Sequence, residues 1–159
     1  MVEKNKKTVP VLVVDFGSQT TQLILRRIRD MGVYCEVITH TNIMQNIKKS
    51  KPKAIIFSGG PSSAFDKFSP KVDKKVFESK IPILGICYGM QIICQQLKGK
   101  VKKTTKREFG KAIIKVSKKN ALFKDIINLN STSQVWMSHG DEVVKVPNGF
   151  EIIAKSDNN

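Results

Sequence analysis

Pro82-Ile-Leu-Gly-Ile-Cys87-Tyr-Gly-Met-Gln91 decides the fold. Ile81 to Ile86 is an apolar run that reads as a buried strand. It passes through Gly85-x-Cys87-x-Gly89 straight into a helical stretch, about Tyr88 to Leu97. Strand, sharp turn and helix, with a nucleophilic side chain at the turn, make a nucleophile elbow with Cys in place of Ser. The flanking glycines have a steric task, because a Cβ at either place would crowd the adjoining strand and helix. Cys87 then stands at a helix N-terminus, where the dipole and unpaired amides favour a thiolate. The thiolate is the competent nucleophile. The N–H of Tyr88 points at the same place and is a candidate oxyanion donor. The plain alternative for any cysteine is a small buried hydrophobe. Cys35, in a strand, and Cys94, well inside the helix, are read that way. Cys87, between its glycines, is read as the nucleophile.

The chain before the elbow alternates strands and helices. Val9 to Val14 reads as a buried strand. A helix fits from about Ser18 to Met31, capped by the Ser18 hydroxyl and ended by Gly32 in a left-handed turn. Val33 to Thr39 is a second strand, and Asn42 can cap a short helix through about Lys49. Ala54 to Phe57 is a third strand. Ser69-Pro70 reads as the start of a helix running to about Ser79. This order predicts an α/β domain of three layers, with a mostly parallel central sheet, helices on both faces and right-handed crossovers. After Gly99 the helices stop. Val101–Thr105, Ala112–Val116, Val135–Met137, Val143–Val146 and Phe150–Ala154 are short strand candidates, expected as extra antiparallel edge strands. No linker, repeat or low-complexity segment appears, so residues 1–159 are read as a single domain.

Bulk properties narrow the function classes. A chain of 159 residues is long enough for one real core. No run approaches the roughly 20 apolar residues of a membrane span. Met1 to Lys7 is charged and lacks the apolar segment of a secretory signal, so a cytoplasmic protein without membrane contact is expected. Three cysteines, none in a CxxC pair, and two histidines speak against a disulfide framework and against a metal site. The formal charge of +15 invites a nucleic-acid reading. Yet the only arginines are Arg26, Arg27, Arg29 and Arg107, and arginine is what grips phosphates and base edges bidentately. The lysine runs Lys48–Lys53 and Lys98–Lys106 hold no aromatic residue on which a base could stack. A solvated lysine-rich surface is the reading, with no nucleic-acid partner.

Three further clusters carry polar chemistry. Ser58-Gly59-Gly60-Pro61 follows the third strand and, in a parallel sheet, would share a crevice with the elbow. Gly60 is then the second candidate oxyanion donor; a plain type II turn is the alternative. Asp15-Phe-Gly-Ser-Gln19 opens the first helix and could seat a phosphate there, though it is no full Rossmann or P-loop fingerprint. Ser138-His139-Gly140-Asp141 offers a histidine to a cysteine nucleophile, or else is a tight turn between two edge strands.

Taken together, Ser-Gly-Gly-Pro at 58–61, Gly-Ile-Cys-Tyr-Gly-Met-Gln at 85–91 and Ser-His-Gly-Asp at 138–141 resemble the class I glutamine amidotransferases, from about Val11 to Asn158. Asp15-Phe-Gly-Ser-Gln19 and Tyr88 resemble the GMP synthase branch of that family. Another amidotransferase of the anthranilate synthase component II type, or a non-catalytic module of the same fold, is the alternative. The resemblance implies a flavodoxin-like fold. It implies that Cys87 attacks the side-chain amide of glutamine and that the Gly60 and Tyr88 amides hold the oxyanion. Gly59, Gln91, Ser138, His139 and Gly140 would bind the substrate. No cofactor is implied for this domain. ATP and Mg2+ belong to a synthetase (ATP-pyrophosphatase) domain, in the same or a partner chain, that aminates XMP to GMP; a homodimer is implied for the full-length protein. The family's histidine and glutamate lie in a His-Pro-Glu motif, which these residues do not contain. The triad histidine and glutamate are therefore expected to be absent, His139 is not read as the base, and the 159 residues alone are expected to be an incomplete, inactive domain.

Overall fold

The computed structural model describes residues 9–156, and for residues 104–109 and 139 the backbone alone. The charged stretch Met1 to Lys7 lies outside the described residues. The chain forms two compact units, Met1–Gln96 and Leu97–Asn159.

The first unit runs β1 (Val11–Asp15), α1 (Thr21–Asp30), β2 (Cys35–Thr39), a 3-10 turn (His40–Asn42), α2 (Ile43–Ser50), β3 (Ala54–Phe57), α3 (Lys75–Glu78), β4 (Ile83–Gly85) and α4 (Tyr88–Gln96). All four strands are parallel, in the order β2-β1-β3-β4. This is the doubly wound order whose direction of winding switches between β1 and β3. Alternation along the strands sorts the helices. Val13 of β1 and Cys35 of β2 point to one face, where Leu25 and Ile28 of α1 cover them. Phe57 of β3, beside Gly85 in register, points to the other, where it meets the Phe77 ring of α3 at 6.3 Å and the α4 backbone at Gly89. Leu12, Val13, Val14, Ile55 and Phe57 are all fully buried. Burial on both faces is why these strands read as unbroken apolar runs rather than alternating ones.

Local chemistry moved several boundaries. Gly32 ends α1 as expected, at φ +76°, with its N–H donating to Arg29 O at 2.8 Å. Ser18 does not cap α1. The helix begins at Thr21, and the Ser18 hydroxyl accepts the Thr20 amide one residue ahead of it, at 3.1 Å, while the Asp15 carboxylate accepts the Ser18 amide at 3.3 Å. Asn42 sits in the 3-10 turn and makes no side-chain cap. The helix expected from Ser69 shrinks to Lys75–Glu78. Side chains of α4 satisfy backbone groups of this stretch and of the loop before it. The Tyr88 hydroxyl donates to Pro70 O at 2.6 Å, Gln95 Nε2 to Ala64 O at 2.9 Å and Gln96 Nε2 to Val72 O at 2.8 Å, while Val72 N–H donates to Gln96 Oε1 at 3.2 Å.

The second unit is β5 (Lys100–Val116), β6 (Thr132–Lys145) and β7 (Ala154–Ser156), an antiparallel sheet in the order β6-β5-β7. The expected antiparallel strands are present, bonded to one another as a sheet of their own. The four short candidates before residue 147 fuse into the two long strands β5 and β6. An irregular register between Lys103 and Glu108 carries the pairing across the lysine- and threonine-rich stretch. The strand expected at 150–154 is displaced to Ala154–Ser156.

Candidate active site

Parallel strands place their carboxyl ends along one edge, and the loops after β1, β3 and β4 meet there. The loop after β4 is the elbow. Cys87 adopts φ +52°, a left-handed conformation uncommon for a residue with a Cβ. Such a conformation costs on the order of 1–3 kcal/mol and persists only where its surroundings impose it. Those surroundings are hydrogen bonds on both sides: Ile86 N–H donates to Phe57 O at 2.9 Å, and Gly89 N–H to Ser58 O at 3.1 Å and Ile86 O at 3.0 Å. Gln91 N–H then donates to Cys87 O at 3.1 Å in the first turn of α4.

The flanking glycines supply space. A Cβ on Gly85 would stand 2.7 Å from Met90 N and from Ile93 Cδ1, and one on Gly89 would stand 2.4 Å from Phe57 O. No ordinary contact is that short, so α4 can approach β3 and β4 this closely only over glycine.

The loop after β3 faces the elbow. A Cβ on Gly59 would lie 3.6 Å from Cys87 Cβ and 3.4 Å from Ser18 Oγ. A Cβ on Gly60 would lie 2.6 Å from Phe16 O. Ser58, fully buried, ties the loop down: its N–H donates to Val14 O at 3.0 Å, its hydroxyl donates to Gly59 O at 3.0 Å, and the same oxygen accepts Phe16 N–H at 3.3 Å. Cys87, Gly59 and Gly60 thus share one corner with the loop after β1. Tyr88 opens α4, so its amide belongs to the first turn, where no intrahelical carbonyl is available. Its ring is buried edge-on against Phe16 at 5.4 Å, and burial pushes its phenol above the usual value. Gln91 is buried one turn further on.

The other cysteines are placed as buried hydrophobes. Cys35 donates to Leu25 O at 3.6 Å, and burial pushes the Cys94 thiol up, away from the thiolate form.

The loop after β1 is not the phosphate seat that its position suggested. The Asp15 carboxylate folds back over it, and its Oδ1 accepts Gly17 N–H at 2.9 Å, Ser18 N–H at 3.3 Å and the Thr21 hydroxyl at 2.8 Å. The donors an anion would need are engaged, by a group that would itself repel the anion. Sequence reasoning passed over this role of Asp15. The signal was there in Asp-x-Gly-Ser, a spacing at which an aspartate closes an Asx-type turn on the amide two residues on.

Ser138, His139 and Gly140 belong to the second unit. They form no tight turn: the cluster runs through the interior of β6, with Ser138 opposite Phe109, His139 opposite Glu108 and Asp141 opposite Lys103. Side chains alternate along that strand, Ser138 and Gly140 lying exposed on the same face as Trp136. The His139 side chain lies outside the described residues. Among the described residues no group of three or more His, Cys, Asp or Glu could hold a metal ion, and no helix is long and apolar enough to cross a membrane.

Comparison with known proteins identifies the family. The family model "Glutamine amidotransferase class-I" matches residues 12–159. The chain is 52% identical over 148 residues to a GMP synthase [glutamine-hydrolyzing] of Sinorhizobium fredii and 53% identical over 148 residues to that of Brachyspira hyodysenteriae. Each match covers 93% of this chain and 28% of the relative, so the chain spans little more than a quarter of the length of these relatives. Among solved structures, a protein assigned as one subunit of a GMP synthase from Thermoplasma acidophilum superposes with a TM-score of 0.74 at 27% identity, covering 94% of this chain and 74% of that one. The elbow, its facing glycine loop and the match from residue 12 to residue 159 place this chain in the class I glutamine amidotransferase family.

Proposed function

We propose that this chain is the glutamine-hydrolysing part of a GMP synthase. The observation that carries the reading is Cys87, held at φ +52° ahead of α4 with Gly59 packed across from its Cβ. The Cys87 sulfur attacks the side-chain carbonyl carbon of glutamine. The carbonyl oxygen becomes an oxyanion, held by the amides of Gly60 and Tyr88. The C–N bond breaks, ammonia leaves with an added proton, and a glutamyl thioester remains. Water then attacks the thioester, releasing glutamate and restoring the thiol. Gly59 and Gln91 shape the glutamine pocket. Proton transfer falls to a histidine oriented by a glutamate, in a His-Pro-Glu segment not among these 159 residues. His139, in the interior of β6, belongs to a different motif.

Ammonia passes to a synthetase domain, in the same chain or a partner chain, which uses ATP and Mg2+ to aminate XMP to GMP. The reading puts the protein in the cytoplasm, as a homodimer when full length. Relatives at about half identity that carry the GMP synthase name support it. The test is Cys87→Ala in the intact synthase. Glutamine-dependent GMP formation should vanish, while formation from added ammonia should persist. Retention of glutamine-dependent activity, or loss of both activities in a folded variant, refutes the reading.

A further inference from the structure

The Gly59-Gly60 loop does not stand on its own. It is seated on the loop after β1: Phe16 N–H donates to the Ser58 hydroxyl, the site of a Gly60 Cβ is filled by Phe16 O at 2.6 Å, and Ser18 Oγ lies 3.4 Å from where a Gly59 Cβ would be. The site of a Gly17 Cβ is likewise 3.4 Å from Pro61 Cδ. The two loops are in backbone-to-backbone contact, so a displacement of one displaces the other. One carboxylate oxygen gathers three of the bonds that shape the β1 loop, and the Ser18 hydroxyl adds another by accepting Thr20 N–H at 3.1 Å. Asp15 Oδ1 accepts from Gly17 N–H, Ser18 N–H and Thr21 Oγ1 within 3.3 Å. Thr21 is itself buried at the first turn of α1, so the anchor is tied to the packed part of the unit.

We infer that Asp15 is a positioning residue for amide hydrolysis, which holds the Gly59-Gly60 loop in register with Cys87 through the β1 loop. It touches neither substrate nor reacting atoms. The inference rests on the proposed role of Cys87 as glutaminase nucleophile. Charge-assisted bonds are the stronger class of hydrogen bond; two of the three converging here hold backbone amides of the loop, and the third ties it to the Thr21 hydroxyl. Without them Phe16 and Ser18 relax, and the Gly60 amide leaves the place where the oxyanion forms. Misplacement of a catalytic group by about 1 Å costs up to ~100-fold, and loss of one oxyanion donor costs about 100- to 1,000-fold in kcat.

The test uses the intact synthase with Asp15→Ala, Asp15→Asn and Thr21→Val, beside Cys87→Ala, and measures glutamate release. Asp15→Ala should lower kcat by roughly 10- to 100-fold with little change in the KM for glutamine, because the interaction is made in the transition state. Asp15→Asn keeps an Oδ1 acceptor and should restore most of that loss. Thr21→Val removes one of the three bonds and should give a smaller loss. Alkylation of Cys87 by iodoacetamide, which forms no oxyanion, should proceed at the parent rate in all three. A merely structural role would instead change alkylation and activity together, and that result overturns the inference. So does an Asp15→Ala variant with parent kcat while Cys87→Ala is inactive. Should Asp15→Ala not fold, Thr21→Val decides: parent kcat there overturns the inference. If Cys87→Ala still hydrolyses glutamine, it is the reading of the site that falls, a result distinct from these.

Discussion

Gly89→Ala puts two opposing effects on one atom. In the interior of an exposed helix the change would stabilise by about 1 kcal/mol, since Ala is the better helix former. Gly89 has an ordinary negative-φ backbone, so no conformational penalty attaches to a side chain as such. Space decides the sign. The new Cβ would stand 2.4 Å from Phe57 O, 2.6 Å from Phe57 Cβ and 2.8 Å from Phe57 C, about 1 Å short of the 3.4 Å at which ordinary contact begins. Two of these are backbone atoms of a central strand, and Phe57 O already accepts the Ile86 amide at 2.9 Å. Neither can rotate aside as a side-chain tip would. Relief requires α4 to lift from β3, stretching the bond from Gly89 N–H to Ser58 O. Overpacking of this kind costs about 1–3 kcal/mol, and the helix gain offsets only the lower end. Contacts this short put the cost in the upper part of that range, about 2–3 kcal/mol, so the expected net is a loss of about 1–2 kcal/mol, or about 2–8 °C in Tm for a domain of this size. Thermal melts of parent and variant measure it, with Gly140→Ala as comparator. Among the described residues nothing lies within 4 Å of a Gly140 Cβ, so that variant should match or slightly exceed the parent. A Gly89→Ala protein as stable as the parent would show that the elbow does not need its close approach, and would refute the steric argument for both glycines.

Two other expectations follow from single residues and from the charge. Tyr88→Phe removes the 2.6 Å bond to Pro70 O and should cost about 0.5–1.5 kcal/mol in urea unfolding. Burial raises the Tyr88 phenol above its ordinary 10.0, so the folded state holds its proton where the unfolded chain has released it. Its contribution is therefore complete below about pH 10 and is lost as pH rises beyond that, which makes the parent's stability fall more steeply than the variant's in alkaline urea titrations. Equal slopes would count against a buried phenol. The +15 charge should give only weak association with DNA or RNA that disappears between low and physiological salt, measured by fluorescence anisotropy; sequence-selective binding at physiological salt would contradict the reading of the lysine runs.

The elbow and the parallel sheet were legible because each leaves a mark in side-chain type. Strands buried on both faces must be apolar throughout, and Val11–Val14 and Ala54–Phe57 are. A helix crossing a strand at backbone contact must be glycine at the crossing, and Gly85 and Gly89 are. The second unit was less legible for the opposite reason. Its strands carry exposed lysines, among them Lys102, Lys103, Lys111 and Lys115, so a pattern with few apolar positions resembled short strands separated by turns, and the pairing that fuses them lies in the partner strand. The helix expected at Ser69 failed because its signals were local, while what fixes Pro70 and Val72 is a tyrosine and a glutamine on α4, 18 and 24 residues away.

The same distinction explains where strain and freedom sit at the site. Of Gly85, Cys87 and Gly89, only Cys87 takes the left-handed conformation, the one an isolated turn would assign to glycine. The glycines are spent on proximity instead, letting β3, β4 and α4 close to a distance no Cβ permits. That closeness brings Phe57 O to the Ile86 amide and Ser58 O to the Gly89 amide, on either side of Cys87, and those two bonds hold the cysteine in its costly conformation. The strained cysteine and the unstrained glycines are thus one device. Removing either glycine should relax the cysteine, whereas a glycine at 87 would relieve the strain and lose the sulfur that the strain serves to present.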